Sequence, residues 1–479
     1  MTVIAQARLG LHDPHDCTDA SDELTILHAI YDTLVRRTGQ DFVPHLAQDW
    51  HVSADAKTWT FHLQPDVFFH DGTPCDAAAV ALNLERMARE DKGYTLGSPA
   101  VWRQFLGHAV LDATDTSTLR VTLAAPMADL LDVLEQGFIV APSVFAALDG
   151  GDHTAHCGTG PYRLASVSKC EITATRTAAH FAGTPENADI TWRLVPKADD
   201  RLAQLQQGKV QIANALDFEV SRALGAGRHT YLSPVAIIYL LNAAHGPLTD
   251  PRVRRALSLA VDRQEIVETV MHGAAQPLHG FVSPHHFGAG QGAGAQMDRA
   301  RARELLTQAG YAKGLTLDVD CPTRLPDEAQ RLTAALADQL STVGISLTVH
   351  IHPEREDYAH MVRRKEIRDM CVFDSSPMST YRVLFEKIDS RVAGAWWQGY
   401  VNPRIEALID RGRVTTDRAA RAALWAAAYA LLQEDPAWLT LYNPVRVIGL
   451  AGLHPDFTMP VDGVIDVPRL PSFRGLHEG

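Results

Sequence analysis

The chain has 479 residues, enough for two to four domains at about 100–200 residues each. It carries 44 Lys and Arg against 57 Asp and Glu, a net charge of -13, which excludes broad contact with phosphate backbones. With 46% hydrophobic and 21% charged residues the composition is that of a packed core, and no apolar run of about 18 residues offers a membrane span.

Apolar residues alternate from Val3 to Leu9, which predicts a strand ending before the His12-Asp13-Pro14 turn. From Glu23 to Leu34 the stripe Leu24, Ile26, Leu27, Ile30, Leu34 predicts a helix. Trp59, Phe61 and Leu63 alternate, as do Leu119, Val121 and Leu123, so both runs read as half-buried strands. Between them Cys75–Arg89 reads as an Ala-rich helix. Further on, Asp298 is placed to cap a helix that stops at Gly310. Leu315, Leu317 and Val319 then alternate; Ala329, Leu332, Leu336, Leu340 and Val343 form one helical face; and Ile345, Leu347 and Val349 alternate again. Strand, helix, strand of this length predicts a βαβ crossover with a parallel pair. Arg404–Arg413 and Thr416–Gln433 read as helices, and Gly288–Gly294 as a surface loop.

The chemistry of common catalytic motifs is missing. There is no GxSxG elbow, no HExxH helix and no GxxxxGK[ST] phosphate loop. Gly158-Thr159-Gly160 runs into Pro161 rather than a helix start, so a dinucleotide fingerprint fails. The six cysteines lack CxxC spacing and read as scattered thiols, although pairing in an oxidising compartment stays open. Histidine is abundant, at 22 residues. His153 with His156, His285 with His286, and His350 with His352 are each either a metal contact or part of a solvated face.

Several segments in fixed order resemble the solute-binding proteins of the peptide/nickel class of ABC importers. They are Pro44–Trp50, Asp55–Leu63, Phe69–Pro74, Gly158–Leu164, Asn242, Asp250–Leu257 with Ala260–Arg263, the helix at 302–311, and Val343-Gly344-Ile345. The resemblance spans residues 11 to 445 and implies an α/β, periplasmic-binding-protein-like fold. Two α/β lobes would flank a cleft, with an extra subdomain inserted in the first lobe. The expected division is 1–38, 157–231 and 440–479 for the first lobe, 39–156 for the inserted subdomain, and 232–439 for the second lobe.

The resemblance implies capture of a small organic ligand, peptide-like or a conjugated amino acid or sugar, and its delivery to the permease subunits of an ABC importer. A nickel or metal-chelate binder is the alternative within the class. A hydrolase using Asp374 with Ser375 or Ser376 is the alternative outside it, disfavoured because no base is spaced to activate either serine. The protein is then expected to be a non-enzymatic monomer without cofactor, resident metal or nucleic-acid partner. It is expected to be periplasmic, with its signal segment removed, since Met1–Ala7 shows none.

For the ligand site, Tyr358 resembles a tyrosine that reaches the ligand in relatives; packing against its own helix is the other reading. Asp374, Ser375, Ser376, Ser379, Thr380, Tyr381 and Arg382 occupy the segment where relatives carry a Trp-rich turn ending in Asp-Pro. That departure suggests a ligand held by hydroxyls and one cation, with Asp374 the surviving carboxylate and Arg382 a fork for an anion. Trp396 and Trp397 are expected on a strand, so only one faces the cleft. Trp102 and Arg103 fall where nickel-type relatives place an aromatic and an arginine, but Glu135-Gln136-Gly137 stands where the second arginine belongs. Asp22 and Glu23 are either ligand contacts or acids at a helix start.

Overall fold

The computed structural model describes residues 2–17, 21–93, 100–290, 296–324 and 326–473. The chain forms two compact units: one built from the described parts of 2–231 and 445–473, the other from 232–444.

In the first unit Thr2–Gln6 is buried at every position. It lies between two parallel neighbours, Asp189–Leu194 and Ile212–Ala213, so neither edge meets water. Glu171–Arg176 and Tyr162–Val167 extend the sheet antiparallel. The core on this sheet gathers Ile4, Ile26, Leu27, Ile30, Tyr162, Ile190 and Trp192. A separate antiparallel sheet runs in the order Ala47–Val52, Thr58–Leu63, Thr118–Thr122, Val110–Ala113. Its Thr58–Leu63 strand alternates half-buried and buried residues, as the aromatic spacing predicts. The helix expected at 75–89 spans Ala77–Met87, and Asp76 caps it by accepting from the Ala79 amide at 2.9 Å.

The helix expected at 23–34 covers Ser21–Ile30 and ends early for a visible reason. The Ile30 carbonyl accepts from the Gly160 amide at 2.9 Å, which draws the Gly158-Thr159-Gly160 loop against the helix end. A Cβ at Gly158 would lie 2.2 Å from the Ile30 oxygen, and one at Gly160 lies 2.5 Å from the Ile30 carbonyl carbon. Thr159 between them donates to Asp32 at 2.8 Å. The motif is thus a close backbone approach. Gly160→Ala should cost about 1–3 kcal/mol, because main chain cannot yield as a side-chain tip can. Urea unfolding checks this, and an unchanged midpoint counts against it.

In the second unit the strand order is Ile345–His352, Leu315–Pro322, Met370–Ser375, Ala236–Leu241, and then the first residues of Trp438–Leu450. Leu315–Pro322 and Ile345–His352 pair in parallel along their full length, with the Ala329–Ser341 helix between them. This is the predicted crossover, three residues longer in each strand than the apolar alternation suggests. Two of the added residues are histidines paired across the strands: His350 Nε2 meets Asp318 at 2.7 Å and His352 Nε2 meets Asp320 at 2.8 Å. Leu317, Val319, Leu332, Leu336, Leu340 and Ile345 pack into one core with Tyr239, Val372 and Leu441. Asp298 caps Arg299–Gln308 through the Arg301 amide, and the two late helices span Pro403–Val414 and Arg418–Glu434. Of the expected loop at 288–294, residues 288–290 are irregular and the rest lie outside the described residues.

Candidate functional site

The residues predicted from sequence divide between the two units. In the first unit Asp22 and Glu23 open the Ser21–Ile30 helix. Asp22 accepts from the Arg8 amide at 3.1 Å and from Asn214 Nδ2 at 3.0 Å, and burial raises its pKa. Glu23 accepts from the His12 amide and sits 3.0 Å from His12 Nδ1; this hydrogen bond raises the His12 pKa. Both acids therefore tie residues 8–12 to the helix start.

Trp102 is fully buried and donates its indole N–H to the His15 carbonyl at 3.1 Å. Arg103 is half-buried and pairs with Glu90. Glu135, standing where an arginine was sought, takes a bidentate pair from Arg37, which also reaches Asp132. Burial pushes the Glu135 carboxyl up against the pull of Arg37.

In the second unit Tyr358 is buried on the Arg355–Arg363 helix. Its hydroxyl donates to the Val372 carbonyl at 2.6 Å and lies 3.2 Å from the Asp320 carbonyl, so it fastens the helix to the sheet. Asp374 and Ser375 end the Met370–Ser375 strand opposite Ile237 and Ala236. Ser379 caps the next turn by accepting from the Arg382 amide, Thr380 donates to the Phe287 carbonyl, and Ser376 is half-buried. Tyr381 is buried against Phe385 and Trp425. Arg382 Nε donates to Glu386 Oε1 at 2.9 Å, so the expected anion fork already holds an internal carboxylate.

The placement of Trp396 and Trp397 needs correction. They lie in a turn and not on a strand, because the Trp397 amide bonds back to the Gly394 carbonyl and Ala393 takes a positive φ of 47°. Trp396 packs on Phe373 with ring centroids 4.6 Å apart. Trp397 donates its indole N–H to the Tyr400 carbonyl at 2.6 Å.

Sequence reasoning passed over Lys387. It is 5% exposed, lies in a π-helical turn at Leu384–Ile388, and donates from Nζ to Ser375 Oγ at 3.0 Å. As a donor it does not activate that serine. The structure thus gathers Phe373, Asp374, Ser375, Trp396 and Lys387 around one strand end. A lysine within an apolar turn was the one available signal.

No disulfide joins the six cysteines, and five of them are buried. Among the described residues no three His, Cys, Asp or Glu are grouped to hold a metal ion. Nor is any helix there long and apolar enough to cross a membrane.

Comparison with known proteins follows the same lines. The Glutathione-binding protein GsiB of Pectobacterium atrosepticum is 27% identical over 459 residues, covering 90% of this chain and 85% of that protein. The solved NikA from Brucella suis, in complex with Fe(III)-EDTA, shares the fold with a TM-score of 0.81 at 21% identity, over 97% of this chain and 98% of that one. The periplasmic binding protein DppA from Helicobacter pylori, in complex with the peptide STSA, does so with a TM-score of 0.75 at 22% identity, over 94% of each chain. The profile of the bacterial extracellular solute-binding proteins, family 5 Middle, matches residues 41–380. With that match across more than half its length, the chain belongs to the family 5 extracellular solute-binding proteins, the two-lobed α/β receptors of ABC transporters.

Proposed function

We propose that the chain is a periplasmic receptor whose solute is peptide-like, a small molecule bearing both an ammonium group and a carboxylate. The observation that carries this reading is the end of the Met370–Ser375 strand. There the carboxylate of Asp374 adjoins Ser375, and Ser375 accepts from the buried ammonium of Lys387. An acid and a base near one strand end suit the two ends of a zwitterion. Trp396 on Phe373 adds an apolar wall. The glutathione-binding relative and the peptide-bound neighbour support the same ligand class.

In this reading residues 39–156 form a subdomain of the first lobe, the remaining division follows the sequence expectation, and the lobes close on the solute before presenting it to permease subunits. Tyr358, Trp102, Asp22, Glu23 and Arg382 act by positioning, through the internal bonds described above.

A thermal-shift panel tests the reading. Glutathione and short peptides at about 100 times Kd should stabilise the protein by about 2.7 kcal/mol. Nickel with or without free histidine should leave the melting temperature unchanged. Stabilisation by nickel–histidine and not by any peptide would replace this reading with a metal-chelate receptor.

A further inference from the structure

The turn at 393–397, which carries Trp396, does not hold itself in place cheaply. Ala393 keeps a positive φ of 47°, a costly region for a residue with a Cβ. Gly394 lies so close to the Leu384–Ile388 turn that a Cβ there would meet the Glu386 oxygen at 2.1 Å. Two side chains join this stretch to the Arg355–Arg363 helix and the residues just after it. Gln398 Nε2 donates to the Val362 carbonyl at 2.9 Å. At the other end Lys365 Nζ donates to the Gly394 carbonyl and, at 2.8 Å, to the Ala395 carbonyl. The same Gly394 carbonyl accepts from the Trp397 amide that closes the turn.

The chemistry of this brace is unusual. Lys365 is half-buried, and both of its acceptors are neutral. Charged groups on the surrounding elements have partners of their own. Arg364 pairs with Glu366 beside it, Arg382 with Glu386 on the π-helical turn, and Arg391 with Asp389 and Asp410. The last turn of the helix adds only the basic His360 and Arg363. With no carboxylate bonded to it, the ammonium feels burial alone, which lowers its pKa to about 8. A charged donor makes bonds roughly twice as strong as a neutral one, so the turn is held firmly only while Lys365 is protonated.

We propose that Lys365 is a positioning residue of the solute site, an ammonium brace that holds the 393–397 turn so that Trp396 lies against Phe373. The proposal rests on the reading of that aromatic pair as the apolar wall for the solute. It adds that a single charge secures the wall, so affinity falls as the brace loses its proton in mildly alkaline solution.

Fluorine NMR of the intact chain labelled with fluorotryptophan tests the brace without any solute, with Trp396→Phe and Trp397→Phe assigning the two resonances. Both should shift through one inflection near pH 8 in the unaltered chain. Lys365→Arg stays charged and offers a planar fork to the two carbonyls, so it should show no inflection. Lys365→Met should keep the resonances near their alkaline positions at every pH. Should Lys365→Met fail to fold, Lys365→Arg decides alone. Calorimetry at pH 7 and pH 9 with glutathione, or with the short peptide that stabilises the chain most, then tests the role in binding. Between those values the unaltered chain should lose roughly threefold more affinity than Lys365→Arg, a comparison that cancels the titration of the peptide itself. An inflection that persists in Lys365→Arg would overturn the brace. Equal affinity losses in the two proteins would overturn the proposal by placing the turn outside the solute site. Binding of no peptide at either pH, with the inflection present, would overturn the solute role and the reading beneath it while the brace stands.

Discussion

Acidification from pH 7 to pH 5 should cost the first unit about 2 kcal/mol of stability at each of two histidines that are buried uncharged, His15 and His156. His15 is 1% exposed, with Nε2 at 2.9 Å from the Phe138 carbonyl and Nδ1 at 2.9 Å from Arg86 NH1. This network assigns the proton to Nε2, so a second proton at Nδ1 would face the Arg86 guanidinium. Burial first, and Arg86 next, outweigh the attraction of Asp13 and bring the His15 pKa to about 4. His156, bonded to the Tyr31 hydroxyl at 2.7 Å, is brought to about 4 chiefly by burial.

Since the folded values lie below the unfolded value of about 6.5, the unfolded chain binds more protons between them, and stability falls with pH across that window. Each histidine then accounts for about 2 kcal/mol at pH 5. His28, lowered by burial, adds to the loss, whereas Glu135, raised by burial, and His12, raised by its bond to Glu23, work the other way. Asp13 adds nothing in this window: burial would raise it, yet Arg86 and Lys92 hold it well below the carboxylate range. Urea unfolding at the two pH values measures the change. His15→Gln, whose amide can both donate to Phe138 and accept from Arg86, should lessen the loss by about 2 kcal/mol. An unchanged pH slope in that variant would show that the proton is taken up elsewhere.

The parts of the fold legible in the sequence are those that local chemistry decides. The crossover from Leu315 to His352 shows because apolar period and burial coincide there, and Asp76 and Asp298 show because a capping carboxylate acts within three residues. The illegible parts depend on partners distant in sequence. Asp32 is fully buried between His45 at 2.6 Å and His180 at 3.0 Å, and no local pattern joins residues so far apart. The pairing of His350 with Asp318 and of His352 with Asp320 is hidden for the same reason. Two alternating histidines look solvated until the parallel neighbour supplies their acids.

The candidate site was legible as a segment but not as chemistry. Residues 374–382 were found through their place in the order of motifs, yet the weight given to Arg382 assumed an empty fork. Glu386 fills it through an ordinary i,i+4 contact that the sequence already contained. Lys387 went unweighed because one residue later in an α-helix points elsewhere; the π-helical turn at 384–388 brings it back beneath Ser375. The Trp pair was misread because two adjacent aromatics suit a strand as well as a turn, and only Ala393 at positive φ decides between them.

Asp374→Asn should weaken binding of a peptide-like solute by about 2–5 kcal/mol, roughly thirtyfold or more, if that carboxylate holds the solute's ammonium group. The amide keeps the shape and loses the charge, so a buried ammonium would be left without its counter-ion. Lys387→Met should cost a similar amount for the carboxylate end, because the methionine matches the stem and removes the cation. Arg382→Ala is the informative contrast. Its Nε is committed to Glu386, whose side chain is 13% exposed, so this variant should lose about 1–3 kcal/mol of stability and keep its affinity. Calorimetry of the three variants against glutathione, or against whichever peptide stabilises the protein most, separates the roles. A large affinity loss in Arg382→Ala with none in Asp374→Asn would return the anion-binding role to Arg382 and remove the zwitterion reading of this strand end.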